Sequence, residues 1–173
     1  MTFEEVHTKL AEKFPKAVLE RTDSKPDPSI KIDPAQIHAV AGYLKEELSF
    51  ESLSNLSGID YPALPALSVI YHLFSFHHRV MVALKVYLPR EEAPKIQSLC
   101  DLYKSANWME REAYDLFGVH FENHPDHRRI LLPPDWVGYP MRKDYVTPDY
   151  YNGMPVPLYF DDKAATPKEG GHG

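Results

Sequence analysis

Three histidines, His120, His124 and His127, stand at H-x3-H-x2-H spacing, and three imidazoles plus a water form the open site with which zinc hydrolases activate water. A helix is needed to bring such spacings onto one face. Pro125 interrupts the segment, however, and Gly118 has already closed the preceding helical pattern. Hydrogen-bonding or surface histidines are the plainer reading. No G-x-S-x-G elbow presents a nucleophile, and the single cysteine, Cys100, falls on an apolar helical period where packing explains it. Neither G-x-G-x-x-G nor a P-loop occurs, and eight glycines leave little from which to build a phosphate cradle. One cysteine also means that this chain alone builds no internal disulfide, no iron-sulfur cluster and no thiolate zinc site.

A denser set of charges lies just upstream. Glu110, Arg111, Glu112 and Asp115 share one predicted helix, with Arg111 and Asp115 four residues apart and spaced to pair. Arg128 and Arg129 follow a proline and are placed to return guanidinium groups to Glu112 or Asp115, which would lock the outgoing chain onto that helix. The alternative is a solvated face, because an exposed ion pair contributes only about 0–1 kcal/mol.

The outgoing chain, "NHPDHRRILLPPDWVGYPMRKDYVTP" from Asn123 to Pro148, has too many prolines for a long helix or a central strand. Proline pre-sets an extended backbone that loses little entropy on docking. Arg128, Arg129, Arg142, Trp136 and Tyr139 are of the types enriched where partners bury each other's surfaces. The stretch reads as a docking strap.

The elements that must position these groups can be placed by pattern. Thr2 and Glu5 form a capping box before Phe3, Val6, Leu10 and Phe14, a short first helix ended by Pro15. Val18 to Glu20 and Ser29 to Ile32 suit short edge strands. Asp33, Pro34 and Gln36 open a second helix carrying Ile37, Val40, Ala41, Leu44 and Leu48. Leu53, Leu56 and Ile59 sit in a segment read as loop-rich. "ALSVIYHLFSF" and "RVMVALKVYL" predict an antiparallel hairpin turning at His77 and His78, apolar on both faces and so requiring cover on both. Ile96, Leu99, Cys100 and Tyr103 after Pro94 predict a third helix. Asn107 and Glu110 open a fourth, closed by Gly118, and Val119 to Phe121 are expected to pair briefly with the sheet. The expected fold is α+β: an antiparallel or mixed β-sheet with flanking helices over residues 1–122, an extended Pro-rich arm over 123–160, and a disordered tail over 161–173.

Composition bounds the rest. A chain of 173 residues with 43% hydrophobic and 25% charged residues suits one globular domain. A net charge of -6 argues against nucleic acid or anionic lipid as a general partner. The N-terminus lacks a secretory leader pattern, which sets the expectation of a cytosolic start. The most apolar stretch, Ala63 to Phe76, is too short to span a bilayer.

"EREAYDLFGVHFENHPDHRRILLPPDWVGYPMRKDY", Glu110 to Tyr145, resembles the signature of the C-type (30-kilodalton-type) subunit family of proton-pumping NADH:quinone oxidoreductase, respiratory complex I. The match rests on Glu110, Arg111, Glu112 and Asp115, on Phe117-Gly118, on His124-Pro125-Asp126, on Arg128-Arg129-Ile130-Leu131, and on Gly138-Tyr139-Pro140 through Arg142, Lys143, Asp144 and Tyr145. Met141 stands where leucine is expected, and His127 where an apolar residue is usual. The resemblance implies a non-catalytic subunit of the hydrophilic arm, on the cytoplasmic side of the membrane and attached to it only through the complex. It implies docking on the D-type (49-kilodalton-type) subunit and neighbouring iron-sulfur subunits, with FMN, iron-sulfur clusters and quinone all held by partners. The strap and the tail around Tyr150, Tyr151, Tyr159 and Phe160 would run along the D-type subunit and order mainly on assembly from about Val146 onward. The equivalent subunit of a membrane-bound hydrogenase or related dehydrogenase is the alternative within that lineage, and a stand-alone zinc hydrolase the alternative outside it.

Overall fold

In the computed structural model, which describes residues 1–23 and 28–156, a mixed five-stranded sheet lies beneath three helices. The strands are β1 (Val18–Thr22), β2 (Ser29–Ile32), β3 (Ser52–Tyr61), β4 (Ala66–Ser75) and β5 (Val80–Pro89), in the order β1-β2-β5-β4-β3. The helices are α1 (Phe3–Lys13), α2 (Ile37–Glu46) and α3 (Ala106–Phe117). The fold class is α+β as expected.

The hairpin β4–β5 forms the centre of the sheet, with ten paired positions from Ala66–Pro89 to Ser75–Val80 and its turn at His77 and His78. Branched and aromatic side chains at every second position give each strand a continuous apolar row. Leu67, Val69, Tyr71 and Leu73 of β4 and Val82, Leu84, Val86 and Leu88 of β5 enter one core cluster with Val6 and Leu10 of α1, Ile37, Val40, Ala41 and Leu44 of α2, and Ala113 and Phe117 of α3. Ile70 and Ala83, on the opposite face, are buried but lie outside that cluster.

Four sequence expectations change. Ser29–Ile32 is not an edge strand: it lies between β1 and β5 and runs parallel to β5, with Ile30 and Ile32 fully buried. The segment read as loop-rich is β3, ten residues long, whose alternation is broken by a bulge between Leu53 and Asn55. The third predicted helix is absent. Lys95–Gln97 forms a short strand, β6, paired in parallel with β7 (His120–Glu122), and turns follow it. β7 accordingly pairs with β6 and not with the main sheet.

The capping box at Thr2 and Glu5 forms as predicted. Asp33 caps a 3₁₀ turn (Pro34–Gln36) that leads into α2. α3 ends at Gly118, whose φ of 77° is the left-handed conformation that suits glycine. Phe117 packs directly on Gly58 of β3, where a Cβ would stand 2.5 Å from the ring. That close approach seats α3 on the sheet.

Candidate functional site

α3 carries the charged motif, and its side chains hold the chain that follows. The Asp115 carboxylate is fully buried. Its Oδ2 accepts three consecutive backbone N–H groups, from Ile130 at 3.0 Å, Leu131 at 2.7 Å and Leu132 at 2.8 Å, and its Oδ1 accepts from Arg129 Nη1 at 2.6 Å. Burial pushes this carboxyl up. The N–H groups of Leu132, Leu131 and Ile130 together with the Arg129 guanidinium outweigh burial and hold it below the usual carboxylate range. A buried charge with four donors is a rigid latch.

Arg129 extends the latch. Its Nη2 donates to the carbonyls of Trp136 and Gly138, both at 3.0 Å, and the guanidinium lies 5.4 Å from the Tyr139 ring centroid. The expected return of Arg129 to Asp115 is thus formed. The expected Arg111–Asp115 pair is not: Arg111 instead donates to the carbonyls of Arg128 (3.1 Å) and Arg129 (3.2 Å) and lies 3.5 Å from Asp126. Arg128 turns outward onto Asp126 at 2.9 Å, and Glu112 is exposed.

Glu110 has no exposed surface, and its partners among the described residues are a hydroxyl, an amide and a thiol. Burial pushes its carboxyl up to about 7, against the opposing pull of the Ser98 hydroxyl (2.6 Å), the Leu99 N–H (2.7 Å) and the Cys100 thiol (3.4 Å). Its work is to hold the turn after β6. A helical period read from Ile96 to Tyr103 missed that anchor.

The arm is fastened again at its far end. Arg142 donates to the carbonyls of Phe117 (2.7 Å), Glu91 (2.9 Å) and Glu92 (3.0 Å), so it caps the last turn of α3 and ties it to the loop after β5. Arg90 forks between Asp60 (2.8 Å) and Asp144 (2.7 Å), while the Lys143 N–H donates to Asp60 Oδ2 at 2.7 Å. The Arg90 hydrogen bonds lower the Asp60 carboxyl below its ordinary value against burial. Trp136 Nε1 donates to the Tyr145 hydroxyl at 3.0 Å, and the Trp136 ring packs 5.1 Å from that of Tyr151. Tyr151 belongs to a small hairpin, β8 (Tyr150–Tyr151) and β9 (Met154–Pro155), turned by Asn152 and Gly153 at φ 49° and 77°. Structure therefore continues past Val146. The tail with Tyr159 and Phe160 lies outside the described residues.

The three histidines do meet. The His127 ring is 4.3 Å from that of His120 and 5.6 Å from that of His124, centroid to centroid. Two lone pairs are already engaged, however: His127 Nε2 accepts the Phe121 N–H at 3.0 Å and His124 Nδ1 accepts the Asp126 N–H at 2.9 Å, while His124 Nε2 faces the Asn107 carbonyl at 3.0 Å as a donor. Zinc ligation through these atoms would leave backbone N–H groups unpaired. Among the described residues, Cys100, Glu110 and His124 also bring ligand-type atoms within 4.8 Å of one another. Those groups already have internal partners: Glu110 accepts from the Ser98 hydroxyl and the Leu99 N–H, and His124 Nε2 faces the Asn107 carbonyl.

Asp60 and Arg90 belong to the latch and were not singled out from sequence, whereas Asp126 stood in the His124-Pro125-Asp126 step. Nothing local links Asp60 to Arg90, and only the registers of β3 on β4 and of β4 on β5 bring them together.

Residues 30–151, which include the whole latch, match the family described as "Respiratory-chain NADH dehydrogenase, 30 Kd subunit". The chain is 42% identical over 141 residues to the C-type subunit of the F(420)H(2) dehydrogenase of Methanosarcina mazei, covering 79% of this chain and 87% of that one. It is 38% identical over 138 residues to the C-type subunit of the NADH-quinone oxidoreductase of Geotalea uraniireducens, covering 79% and 84%. Among solved structures, the trypsin-resistant fragment (1-134) of Nqo5 superposes with a TM-score of 0.63 at 28% identity, over 73% of this chain and 99% of that one.

Proposed function

Because the chain belongs to the respiratory-chain NADH dehydrogenase 30 Kd subunit family, we propose that it serves as a non-catalytic structural subunit in the hydrophilic arm of a proton-translocating NADH:quinone oxidoreductase. Its own residues hold neighbouring chains in register. FMN, iron-sulfur clusters and quinone would sit in those neighbours, and the D-type (49-kilodalton-type) subunit is the partner we assign to the arm at 123–160. The complex would carry the chain on the cytoplasmic side of the membrane. No helix among the described residues is long and apolar enough to cross a bilayer, so attachment would run through the complex.

The observation that carries this reading is the latch itself. A segment of some thirty residues with little regular structure is fastened to α3 by a buried aspartate and three arginines. Such rigidity in an irregular surface segment is what presenting a fixed shape to another chain requires.

A second reading shares the architecture and differs in the electron donor. The F(420)H(2) dehydrogenase relative is as similar as any reported above, so the same subunit role in a complex fed by F(420)H(2) is the competing assignment. Affinity purification of the full chain from its own cells tests both. Co-purification of flavin- and cluster-bearing chains with NADH:quinone reductase activity is expected. Activity with reduced F420 alone would move the assignment to the second reading, and a chain recovered without redox partners would defeat both.

A further inference from the structure

Every arginine expected to reach a partner is engaged inside the chain. Arg129 binds Asp115 and two carbonyls, Arg142 binds three carbonyls, and Arg128 pairs with Asp126. Beside exposed charges at Arg128, Lys143 and Asp144, the arm turns a large apolar surface to solvent. Of the eleven large hydrophobic side chains that are exposed among the described residues, six lie in the arm, including Val137 at 83%, Val146 at 84% and Met141 at 50%. An exposed cluster of this kind on a rigid segment marks an interaction surface.

Val137 and Val146 flank a hollow of about 390 Å³ with Gly138, Tyr139 and Tyr145 in its lining. Gly138 has a φ of 81°, and a Cβ there would stand 2.9 Å from the Tyr145 ring, so the wall closes tightly at that point. Two charged residues, Arg142 and Asp144, also line the hollow, but Arg142 is held by carbonyls and Asp144 by Arg90. The hollow therefore offers no free charge.

Resting on the subunit assignment above, we infer that this hollow is a socket for an apolar anchor side chain of a neighbouring subunit, and that the apolar rim, not the arginines, carries the docking. The chemistry favours an aromatic or large aliphatic side chain, which fills the hollow without asking for a counter-charge. A free acidic partner group at the hollow would find the Arg129 and Arg142 guanidiniums already held by Asp115 and by backbone carbonyls. The pre-formed socket also keeps the entropy cost of docking low, because Arg129 and Arg142 fix the backbone before a partner arrives.

The test uses the full chain in its assembled complex, with the Val137→Asp/Val146→Asp double variant and Phe76→Asp as a control at another exposed apolar site, on the β4–β5 turn. The double variant should lower recovery of neighbouring subunits by about tenfold or more, with the urea midpoint of the isolated chain unchanged, while Phe76→Asp recovers them normally. Equal recovery by wild type and double variant overturns the socket and leaves the subunit assignment standing. A wild-type chain that recovers no partner overturns the assignment itself. Two other outcomes also overturn the socket: a homodimer of the purified chain abolished by the double variant, and a stability loss in the double variant that vanishes when both chains end at Val156, which would put the chain's own tail in the hollow.

Discussion

Asp115 is the residue on which the arm depends, because one carboxylate satisfies three adjacent N–H groups and a guanidinium together. Removing one member of a buried charged set leaves the rest desolvated and unpaired. Asp115→Ala should therefore destabilise the isolated chain by about 3–5 kcal/mol and open the arm to protease near Arg128 and Arg129. Urea unfolding with limited trypsinolysis checks this, and a wild-type midpoint would mean that the three N–H groups find other acceptors. Arg129→Ala should act in the same direction. It is thus a poor probe of docking, although sequence alone makes it the obvious one.

His127 gives a pH signature at the same scale. Burial, followed by the neighbouring His120 and His124, lowers its pKa to about 4, and its Nε2 accepts the Phe121 N–H. The unfolded chain takes up a proton at the ordinary histidine value of about 6.5, so this residue contributes stability that is present above about 6.5 and lost as pH falls toward 4. His127→Gln can keep an acceptor for Phe121 and does not titrate. The difference in urea midpoint between wild type and His127→Gln should shift against wild type from pH 7 to pH 4.5, by an amount on the order of 1 kcal/mol after solvent screening. A pH-independent difference would show that the ring is charged in the fold or open to water.

At the scale of elements, the α3–β7 junction has the least room for change. Gly118 sits at φ 77°, and a Cβ there would fall 2.5 Å from Tyr139 and 2.7 Å from Arg142. Gly118→Ala should cost roughly 1–3 kcal/mol from backbone strain alone, and more because Tyr139 and Arg142 must move. Its melting temperature should drop further than that of Gly153→Ala, whose position has the same positive φ but open space around it. Equal losses at the two glycines would remove the steric part of the claim.

Elements were legible wherever one local rule decided them. The capping box of α1, the β-branched and aromatic runs of β4 and β5 and the glycine after α3 are all written within a few residues. They were not legible where a distant group decides. Ile96, Leu99, Cys100 and Tyr103 keep helical spacing, yet the Glu110 carboxylate binds the Ser98 hydroxyl and the Leu99 N–H and holds a turn there. In β3 a bulge shifts the alternation by one residue, which erases the period-two signal over a strand with three serines. The candidate site divides the same way: the Asp115–Arg129 lock was visible as charge types at a return distance, whereas Arg111 binding backbone carbonyls leaves no trace in residue pairing.

For the molecule as a whole, the division between an internally engaged set of arginines and an outward apolar rim fixes how assembly should respond to salt. Contacts between a partner's acids and free arginines on the arm would weaken steeply as ionic strength rises, since the screening length shrinks from about 10 Å at 0.1 M to about 3 Å at 1 M. An apolar socket weakens little, and sulfate should strengthen it by exclusion from the surface. The latch is largely shielded as well, because Asp115 and most of Arg129 are out of solvent. Washing the intact complex with 1 M sodium chloride should therefore leave this subunit bound, and 1 M ammonium sulfate should not release it. Val137→Asp/Val146→Asp complexes, where any form, should lose it even at low salt. Release of the wild-type subunit by sodium chloride alone would return the docking role to charged side chains and remove it from the apolar rim.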